Sequence, residues 1–232
     1  MGQLIYTDLS ALEYREIAHF SQDRTLLELF NTGQDIHKVM ASTVYGVESN
    51  NVTKDQRRDA KTFNYAAVYG VGEKTFFERL GREDYGLYDK IKNRYPGVNL
   101  WRDKVLLTLR KTRRIKSIFG RVWEYDKVTW DVEREAFNYI VQSAGHDILQ
   151  IYLMEVMDTV ESVKWPCETP LLVNEKHDSF ILDVRDIIAD QCCDIVKEIG
   201  KDLNPLILRY FGVKMTVPFI AEVKILSNLG ST

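Results

Sequence analysis

Two patterns of apolar and polar residues follow one another in the first thirty residues, and they predict a strand followed by helices. Residues 4–9 are rich in β-prone side chains and predict a short strand that includes Asp8 near its end. Residues 12–20 place apolar side chains at helical spacing, and residues 26–30 predict a further helical turn or two. Asp8 therefore lies at the carboxyl end of a strand. A metal ligand is often found there, and a plain turn aspartate is the more common alternative.

The next segment reads as a series of helices with clear start and stop signals. Asp35 is suited to cap a helix that Gly46 closes, and Thr53 with Gln56 forms a capping-box pattern ahead of a helix over residues 54–70. The other elements predicted in this segment are helices over residues 88–94 and 100–111 and a turn at Pro96–Gly97.

The second half of the chain returns to strands. Residues 169–174 and 180–184 are two β-prone runs that predict a hairpin with Asp178 at its tip. The other elements predicted here are a small hairpin over 115–123, a long helix over 132–163, a helix over 190–210 interrupted near Asn204–Pro205, and a strand over 216–225. Strands thus lie at the start, in the second hairpin and at the end, and a helical block separates the first two.

The composition is that of a folded globular protein, because 45% of its 232 residues are hydrophobic and 28% are charged. The apolar runs are far shorter than a membrane span, and the N-terminal residues lack the apolar core of a secretory signal. We therefore expect an intracellular protein without membrane contact, in the cytoplasm or nucleoid, or in the host cytoplasm if it is viral. The three cysteines lack zinc spacing and agree with a reducing compartment.

The net charge of -3 argues against a uniformly basic nucleic-acid binder, but the charge is unevenly distributed. Between Arg102 and Arg121, eight basic residues accompany one acid, Asp103. Such a run is typical of a solvated helix face, and it is equally compatible with contacts to a nucleic-acid backbone.

One predicted helix carries cations and aromatic rings four residues apart. Arg57, Lys61, Tyr65 and Tyr69 share a slowly drifting stripe on the helix over residues 54–70. The two cations suit phosphate oxygens, and the two rings suit stacking on a nucleobase. A solvated basic helix with ordinary core tyrosines would give the same pattern, so this stripe alone does not decide the function.

A second stripe lies on the long helix over residues 132–163. Arg134, Asn138 and Gln142 recur every four residues on a helix that is otherwise rich in apolar positions. Polar groups at this spacing can contact the edges of a nucleic-acid duplex, and a solvent-facing stripe is at least as common.

Three segments, taken together and in this order, resemble the motifs of the family A DNA polymerases. Asp8–Arg15 is similar to motif A (Asp-Tyr-Ser-x-Ile-Glu-Leu-Arg), Arg57–Gly70 to motif B, and Lys176–Ser179 to the His-Asp-Glu of motif C. Further segments in the family's order are Gln34–His37, Phe119–Arg121 and Ala136–Gln142. An ordered set that spans almost the whole chain is a specific signal, whereas a single His-Asp pair would carry no weight.

The resemblance implies an α+β fold, in which a polymerase palm with a small antiparallel sheet and helices carries an inserted, mainly helical fingers domain. It assigns residues 1–25 and 115–232 to the palm and residues 26–114 to the fingers. The family's thumb, upstream palm strands and exonuclease have no counterpart here. We therefore expect either an isolated fragment or a split polymerase whose second polypeptide supplies the thumb and upstream palm.

The implied activity is template-directed DNA synthesis, which joins deoxynucleoside triphosphates to a primer 3′-hydroxyl on primer–template DNA. The resemblance implies that Asp8, Asp178 and the Leu9 carbonyl bind two Mg²⁺ ions, for which Mn²⁺ is able to substitute, and that Lys61 helps to protonate the leaving pyrophosphate. The implied nucleotide contacts are Glu13 as a steric gate against ribose, His37, Arg57 and Lys61 at the triphosphate, Tyr65 stacked on the nucleotide and Tyr69 at the template base. The implied DNA contacts are Arg121, Arg134, Asn138, Gln142 and His177.

The chain departs from the family pattern at several motif positions. Ser179 stands where motif C usually has glutamate, Ala11 replaces a common glutamine, and Ala66 replaces a glycine. Tyr65, in place of phenylalanine, implies weak discrimination against dideoxynucleotides.

Three other functions compete with this interpretation. The main alternative is a non-catalytic polymerase fragment that holds DNA or a partner protein. A metal-dependent phosphohydrolase built on His146-Asp147 and His177-Asp178 would leave the stripe from Arg57 to Tyr69 unexplained. A single-subunit RNA polymerase is disfavoured by Glu13.

Overall fold

The computed structural model of the chain describes residues 2–228 and separates into two compact units. The sheet unit comprises the residues up to Glu16 together with those from Thr108 onward, and the helical unit comprises Ile17–Leu107. The units thus divide the chain after Glu16 and Leu107, inside two helices. The sequence-based palm and fingers ranges divide it after residues 25 and 114.

Six strands and ten α-helices follow one another along the described part of the chain. They are β1 (Gly2–Leu9), α1 (Leu12–Ser21), α2 (Arg24–Asn31), α3 (Ile36–Tyr45), α4 (Lys54–Tyr69), α5 (Glu73–Leu80), α6 (Tyr85–Lys92), α7 (Pro96–Thr112), β2 (Arg114–Lys116), β3 (Val122–Glu124), α8 (Trp130–Ser162), β4 (Leu171–Lys176), β5 (Ser179–Arg185), α9 (Ala189–Lys201), α10 (Leu203–Phe211) and β6 (Ala221–Leu226). No helix within residues 2–228 has the length and hydropathy needed to cross a membrane.

The sheet unit is built on four antiparallel strands in the order β4–β5–β1–β6. The central strand β1 pairs with β5 up to the Asp8↔Ser179 position, and with β6 up to Leu9↔Ala221. A separate two-stranded ribbon joins β2 to β3. A small antiparallel sheet with helices on a largely helical chain confirms the α+β class.

The core of the sheet unit lies on one face of β1. Ile5 and Thr7 are fully buried and pair across the ladder with Leu182 and Phe180, which are buried as well. Helices α8 and α9 are joined by a hydrogen bond from the Tyr152 hydroxyl to the Val196 carbonyl at 2.8 Å, and both residues are fully buried. Because side chains alternate along a strand, the opposite face of β1 presents Tyr6 and Asp8.

Two predicted helix caps in the helical unit, Asp35 and Thr53, are confirmed. The Asp35 carboxylate accepts hydrogen bonds from the backbone N–H groups of His37 and Lys38 at the start of α3, and Gly46 ends that helix in a left-handed conformation with φ of 66°. Thr53 and Gln56 form the predicted capping box of α4. Each cap satisfies backbone donors that the first helical turn leaves unpaired.

One prediction from a proline position was wrong. Pro96–Gly97 is the start of α7 and not a turn, because proline at the first helical position lacks only a donor that would be unpaired there. The interruption predicted near Asn204–Pro205 is confirmed; it falls at Asp202, between α9 and α10, and Pro205 lies in the first turn of α10. The last strand is also shorter than predicted, since β6 begins at Ala221.

Candidate active site

Two predicted catalytic carboxylates meet at one end of the sheet. Asp8 lies near the end of β1, and Asp178 lies in the turn between β4 and β5. The Leu9 N–H donates to the Asp178 carbonyl at 2.9 Å, so the ladder between β1 and β5 holds the two segments side by side. The structure thus brings together Asp8, Leu9 and Asp178, which the sequence placed about 170 residues apart along the chain.

The environment of Asp8 favours a bound cation. The Tyr6 hydroxyl donates to Asp8 Oδ2 at 3.1 Å. Burial raises the pKa of the Asp8 carboxyl, and the negative charge of Asp178 raises it further. A metal ion bound beside Asp8 would offset the repulsion from the negative charge of Asp178.

The oxygen ligands at this end of the sheet suit Mg²⁺ better than a metal that is coordinated entirely by protein side chains. Within residues 2–228, no group of three or more His, Cys, Asp or Glu side chains is arranged to hold a metal ion. Mg²⁺ commonly binds through one or two carboxylates and completes its shell with water and substrate phosphates. Two carboxylates, Asp8 and Asp178, lie at this end of the sheet.

The strand neighbours of Asp8 were not anticipated from the sequence. Ser179 lies opposite Asp8 on β5, and its hydroxyl donates to the Lys176 carbonyl at 2.9 Å. On the other side, Glu222 of β6 lies opposite Asp8 and forms an ion pair with Lys224 at 3.5 Å. Period-two spacing in β6 could have indicated that Glu222 and Lys224 share a face, but not that this face adjoins Asp8.

A cavity of about 370 Å³ opens beside Asp178. Four residues predicted from the sequence line it, namely Glu13, Gln142, His177 and Asp178, together with Leu12, Gly145 and His146. Glu13 lies in the first turn of α1, and His177 occupies the hairpin turn with a φ of 56°, a left-handed conformation that tight turns require. The motif residues of α1, α8 and the β4–β5 turn therefore share one concave surface.

The polar stripe on α8 is partly exposed. Arg134 and Gln142 are exposed and Asn138 is half-buried, whereas Ala136, Phe137 and other apolar residues of α8 are buried. The Arg134 guanidinium lies 5.1 Å from the centre of the Trp130 ring, a cation–π distance. Of this predicted stripe, Gln142 is the member that lines the cavity with Asp178.

Arg121 is engaged in an ion pair within the protein. Its Nε lies 2.9 Å from Oδ1 of Asp147, a residue that is only 8% exposed, and its Nη2 contacts the same carboxylate. These hydrogen bonds raise the pKa of the Arg121 guanidinium. The pair ties the turn between β2 and β3 to α8, so the arginine that was predicted to bind DNA has a structural partner as well.

Arg15 stabilises the turn that follows β1. Its Nε donates to the Ser10 carbonyl at 2.8 Å and its Nη1 to the Pro218 carbonyl at 2.5 Å. Burial lowers the pKa of the Arg15 guanidinium to about 10, so the side chain is charged at neutral pH. The sequence included Arg15 in motif A without assigning it this role.

In the helical unit, a buried hydrogen-bond network positions His37. The Asn64 Nδ2 lies 3.1 Å from His37 Nδ1 and also donates to the Ile36 carbonyl, while the Tyr95 hydroxyl donates to Asn64 Oδ1. Because the amide nitrogen is the donor, Nδ1 of His37 accepts and the ring proton lies on Nε2. Asn64 and Tyr95 are fully buried, and neither had been predicted as a positioning residue.

The charge state of His37 follows from its surroundings. Burial lowers the pKa of the imidazole to about 4, and the cations of Arg57 and Lys61 lower it against the opposing effect of Asp35. His37 is therefore neutral at pH 7. Arg57 itself is held by Asp35, whose Oδ2 lies 2.6 Å from the Arg57 Nε.

The stripe on α4 has the predicted order of groups. Arg57, Lys61, Tyr65 and Tyr69 follow one another on the helix, with Lys61 exposed and the Tyr65 side chain 48% exposed. The rings of Tyr65 and Tyr69 lie 4.5 Å apart between centroids at an interplanar angle of 34°. An exposed aromatic face next to cations offers a surface for a nucleotide.

The chain is similar to known DNA polymerases along most of its length. The chain is 28% identical to DNA polymerase I of Streptococcus pneumoniae over 240 residues, which cover 99% of this chain and 26% of that protein. It is also 28% identical to the thermostable DNA polymerase I of Thermus filiformis over 213 residues, 88% of this chain and 25% of that protein. The chain thus spans about a quarter of the length of these relatives.

The fold comparison and the family model extend over nearly the whole chain. The solved structure of the POL domain of Pol1 from M. smegmatis, in complex with DNA primer-template and dNTP, matches with a TM-score of 0.80 and 24% identity. The match covers 97% of this chain and 40% of that one. The sequence model of DNA polymerase family A matches residues 1–231. The chain therefore belongs to DNA polymerase family A.

Proposed function

We propose that the chain carries out template-directed DNA synthesis by transferring a nucleotide from a deoxynucleoside triphosphate to a primer 3′-hydroxyl. The observation that carries the proposal is the pairing of Asp8 and Asp178 beside a cavity lined by Glu13, Gln142 and His177. In this interpretation the sheet unit corresponds to the palm and the helical unit to the fingers. Membership of DNA polymerase family A supports the reaction class.

The sheet unit would supply the metal-binding and DNA-binding groups. Asp8, Asp178 and the Leu9 carbonyl would hold two Mg²⁺ ions, or Mn²⁺ in their place, which activate the primer hydroxyl and stabilise the developing charge. Glu13, at the rim of the same cavity, excludes the 2′-hydroxyl of a ribonucleotide by occupying its space. The proposed contacts to primer–template DNA are Arg121, Arg134, Asn138, Gln142 and His177.

The helical unit would bind the incoming nucleotide. Neutral His37 offers its Nε2–H as a donor to a phosphate oxygen, and Arg57 and Lys61 offer charge-assisted contacts. Lys61 is the group that donates a proton to the leaving pyrophosphate. Tyr65 stacks on the base of the nucleotide and Tyr69 occupies the position next to the template base. Phosphoryl transfer depends mainly on such positioning and charge compensation.

We also propose that a second polypeptide supplies the thumb and upstream palm. The chain covers 40% of the POL domain of Pol1, whose solved structure is a complex with DNA primer-template and dNTP. Phosphate contacts outside this region would then add to the affinity for duplex DNA and to its salt dependence. Primer–template DNA and deoxynucleoside triphosphates are the proposed ligands of the assembled enzyme.

Magnesium-dependent primer extension tests the proposal. The chain is incubated with a labelled primer–template and either deoxynucleotides or ribonucleotides, with and without a thumb-bearing polypeptide. We expect extension with deoxynucleotides that disappears in Asp178→Ala. Asp183→Ala is the matched control, because Asp183 is an exposed carboxylate on the adjoining strand β5. Extension that survives in Asp178→Ala would overturn the assignment, and full activity of the chain alone would remove the need for a partner.

A further inference from the structure

We propose that His146 is an additional contact to the sugar–phosphate backbone of the primer strand, and that Glu175 and Gln150 position its ring. The proposal rests on the proposed function, because it concerns the same DNA-binding surface. It adds a residue that lies outside the three motifs and outside the predicted stripe of Arg134, Asn138 and Gln142.

His146 extends the stripe of Arg134, Asn138 and Gln142 by one further helical turn, on the side of the cavity that contains Asp178. His146 follows Gln142 by four residues on α8, so the two side chains lie on the same side of the helix. Both line the 370 Å³ cavity that also contains His177 and Asp178. The exposed imidazole of His146 therefore lies on a concave surface and not on the open face of the helix.

A carboxylate on the neighbouring strand lies beside the ring of His146 on one side. The Gln150 amide donates to Glu175 Oε1 at 2.5 Å, and the same oxygen lies 3.8 Å from His146 Nδ1. Glu175 belongs to β4, directly before the turn that carries His177 and Asp178. With Nδ1 beside this carboxylate, Nε2 on the opposite edge of the ring is the nitrogen that can contact a ligand.

The cavity lining combines hydrogen-bond donors with carboxylates. The imidazoles of His146 and His177 and the amide of Gln142 provide donors, which suit phosphate and sugar oxygens, while Glu13 and Asp178 are the carboxylates of the lining. A volume of 370 Å³ lies within the range of small-ligand sites and accommodates one nucleotide unit. The primer strand is the ligand that must approach here, because its 3′-hydroxyl has to reach Asp178 for the proposed reaction.

The test combines protein variants with a modified primer. Affinities of wild type, His146→Ala and His146→Gln are measured by fluorescence anisotropy for two primer–templates. One has an unmodified primer, and in the other the last two primer linkages are uncharged methylphosphonates. Glu161→Ala, an exposed position near the end of α8, is the matched control. Circular dichroism melting verifies that each variant is folded.

We expect His146→Ala to weaken binding of the unmodified primer about fivefold, the size of one lost hydrogen bond. It should leave binding of the methylphosphonate primer unchanged, because the contact is already absent there. His146→Gln should recover part of the affinity, and Glu175→Ala should reproduce part of the loss through misplacement of the ring.

Two outcomes would overturn the inference. Equal affinities of wild type and His146→Ala for the unmodified primer would exclude the contact, and equal losses on both primers would place it elsewhere on the DNA. Either outcome leaves the proposed function standing if the wild-type chain still extends primers. Failure of the wild-type chain to bind any primer–template, even in the presence of a thumb-bearing polypeptide, would instead refute both.

Discussion

Replacing Glu16 with glutamine is expected to stabilise the sheet unit, by an amount that grows as the pH rises. The Glu16 side chain is fully buried, and neither carboxyl oxygen has a hydrogen-bond partner among the described residues. Gly145 lies against it, since a Cβ added there would be 3.3 and 3.4 Å from the two oxygens. Burial raises the pKa of the Glu16 carboxyl well above its usual value, and the charges of Glu13 and Asp147 add to the effect.

The sign and size of the effect follow from proton binding. An unfolded glutamate has a pKa of about 4.3, so at higher pH the folded chain holds a proton at Glu16 that the unfolded chain has lost. The free energy of unfolding therefore falls by about 1.4 kcal/mol per pH unit between the unfolded and folded pKa values of this group. Glutamine has nearly the same shape and no proton to lose. Within that pH range the advantage of the variant should therefore grow by about 1.4 kcal/mol per pH unit.

The assay is urea unfolding followed by circular dichroism at several pH values from 5 to 8. Wild type, Glu16→Gln and the exposed control Glu161→Gln are compared at each pH. The difference between wild type and Glu16→Gln should widen with pH, whereas the control should follow the wild type. A pH-independent difference would show that Glu16 is not a buried neutral acid, and the argument from its burial would fail.

Three further substitutions test the positioning groups and the nucleotide surface. Asn64→Ala should cost about 1–3 kcal/mol of unfolding free energy, because the buried partners of the amide lose their hydrogen bonds, and it should raise the KM for the nucleotide through misplacement of His37. Urea unfolding and steady-state kinetics measure the two effects, and an unchanged KM would contradict the second. Arg121→Ala should destabilise the chain by about 1–3 kcal/mol because Asp147 loses its partner. The double variant with Asp147→Ala should be less destabilised than the sum of the single variants in thermal melts, and strict additivity would argue against the pair. Tyr65→Phe should lower dideoxynucleotide incorporation in a primer-extension ladder, and unchanged incorporation would refute a role for the hydroxyl.

Local signals explain which parts of the fold were predictable. Asp35 and Thr53 cap helices through backbone groups within three residues, so their short-range patterns were sufficient. Pro96 was ambiguous, because the same residue suits a turn or the first position of a helix. The turn and the helix start are distinguished only by the packing of α7 in the fold. In that packing the Gly97 N–H donates to the Asp23 carboxylate at 2.8 Å.

In the candidate site, too, some residues were predictable from the sequence and others depend on how distant parts of the chain pack together. Asp8, Asp178 and the stripe on α4 were recognisable because their order along the chain matches family motifs. Glu222 could not be assigned to the neighbourhood of Asp8, since its place depends on the pairing of β1 with β6. The burial of Glu16 was equally hidden, because it depends on a small residue of α8 that is distant in sequence.

The central position of β1 makes the carboxylate pair a late product of folding. Its two ladder partners, β5 and β6, follow it by more than 150 residues, and contacts over such separations form slowly because the loop-closure entropy must be lost first. Helices α2 to α6, in contrast, lie within one continuous stretch of chain. The ladders that β1 forms with β5 and β6 are complete only after the C-terminal part of the described chain has been synthesised. The onset of the proposed activity would therefore report the completion of these ladders and not the earlier formation of helices.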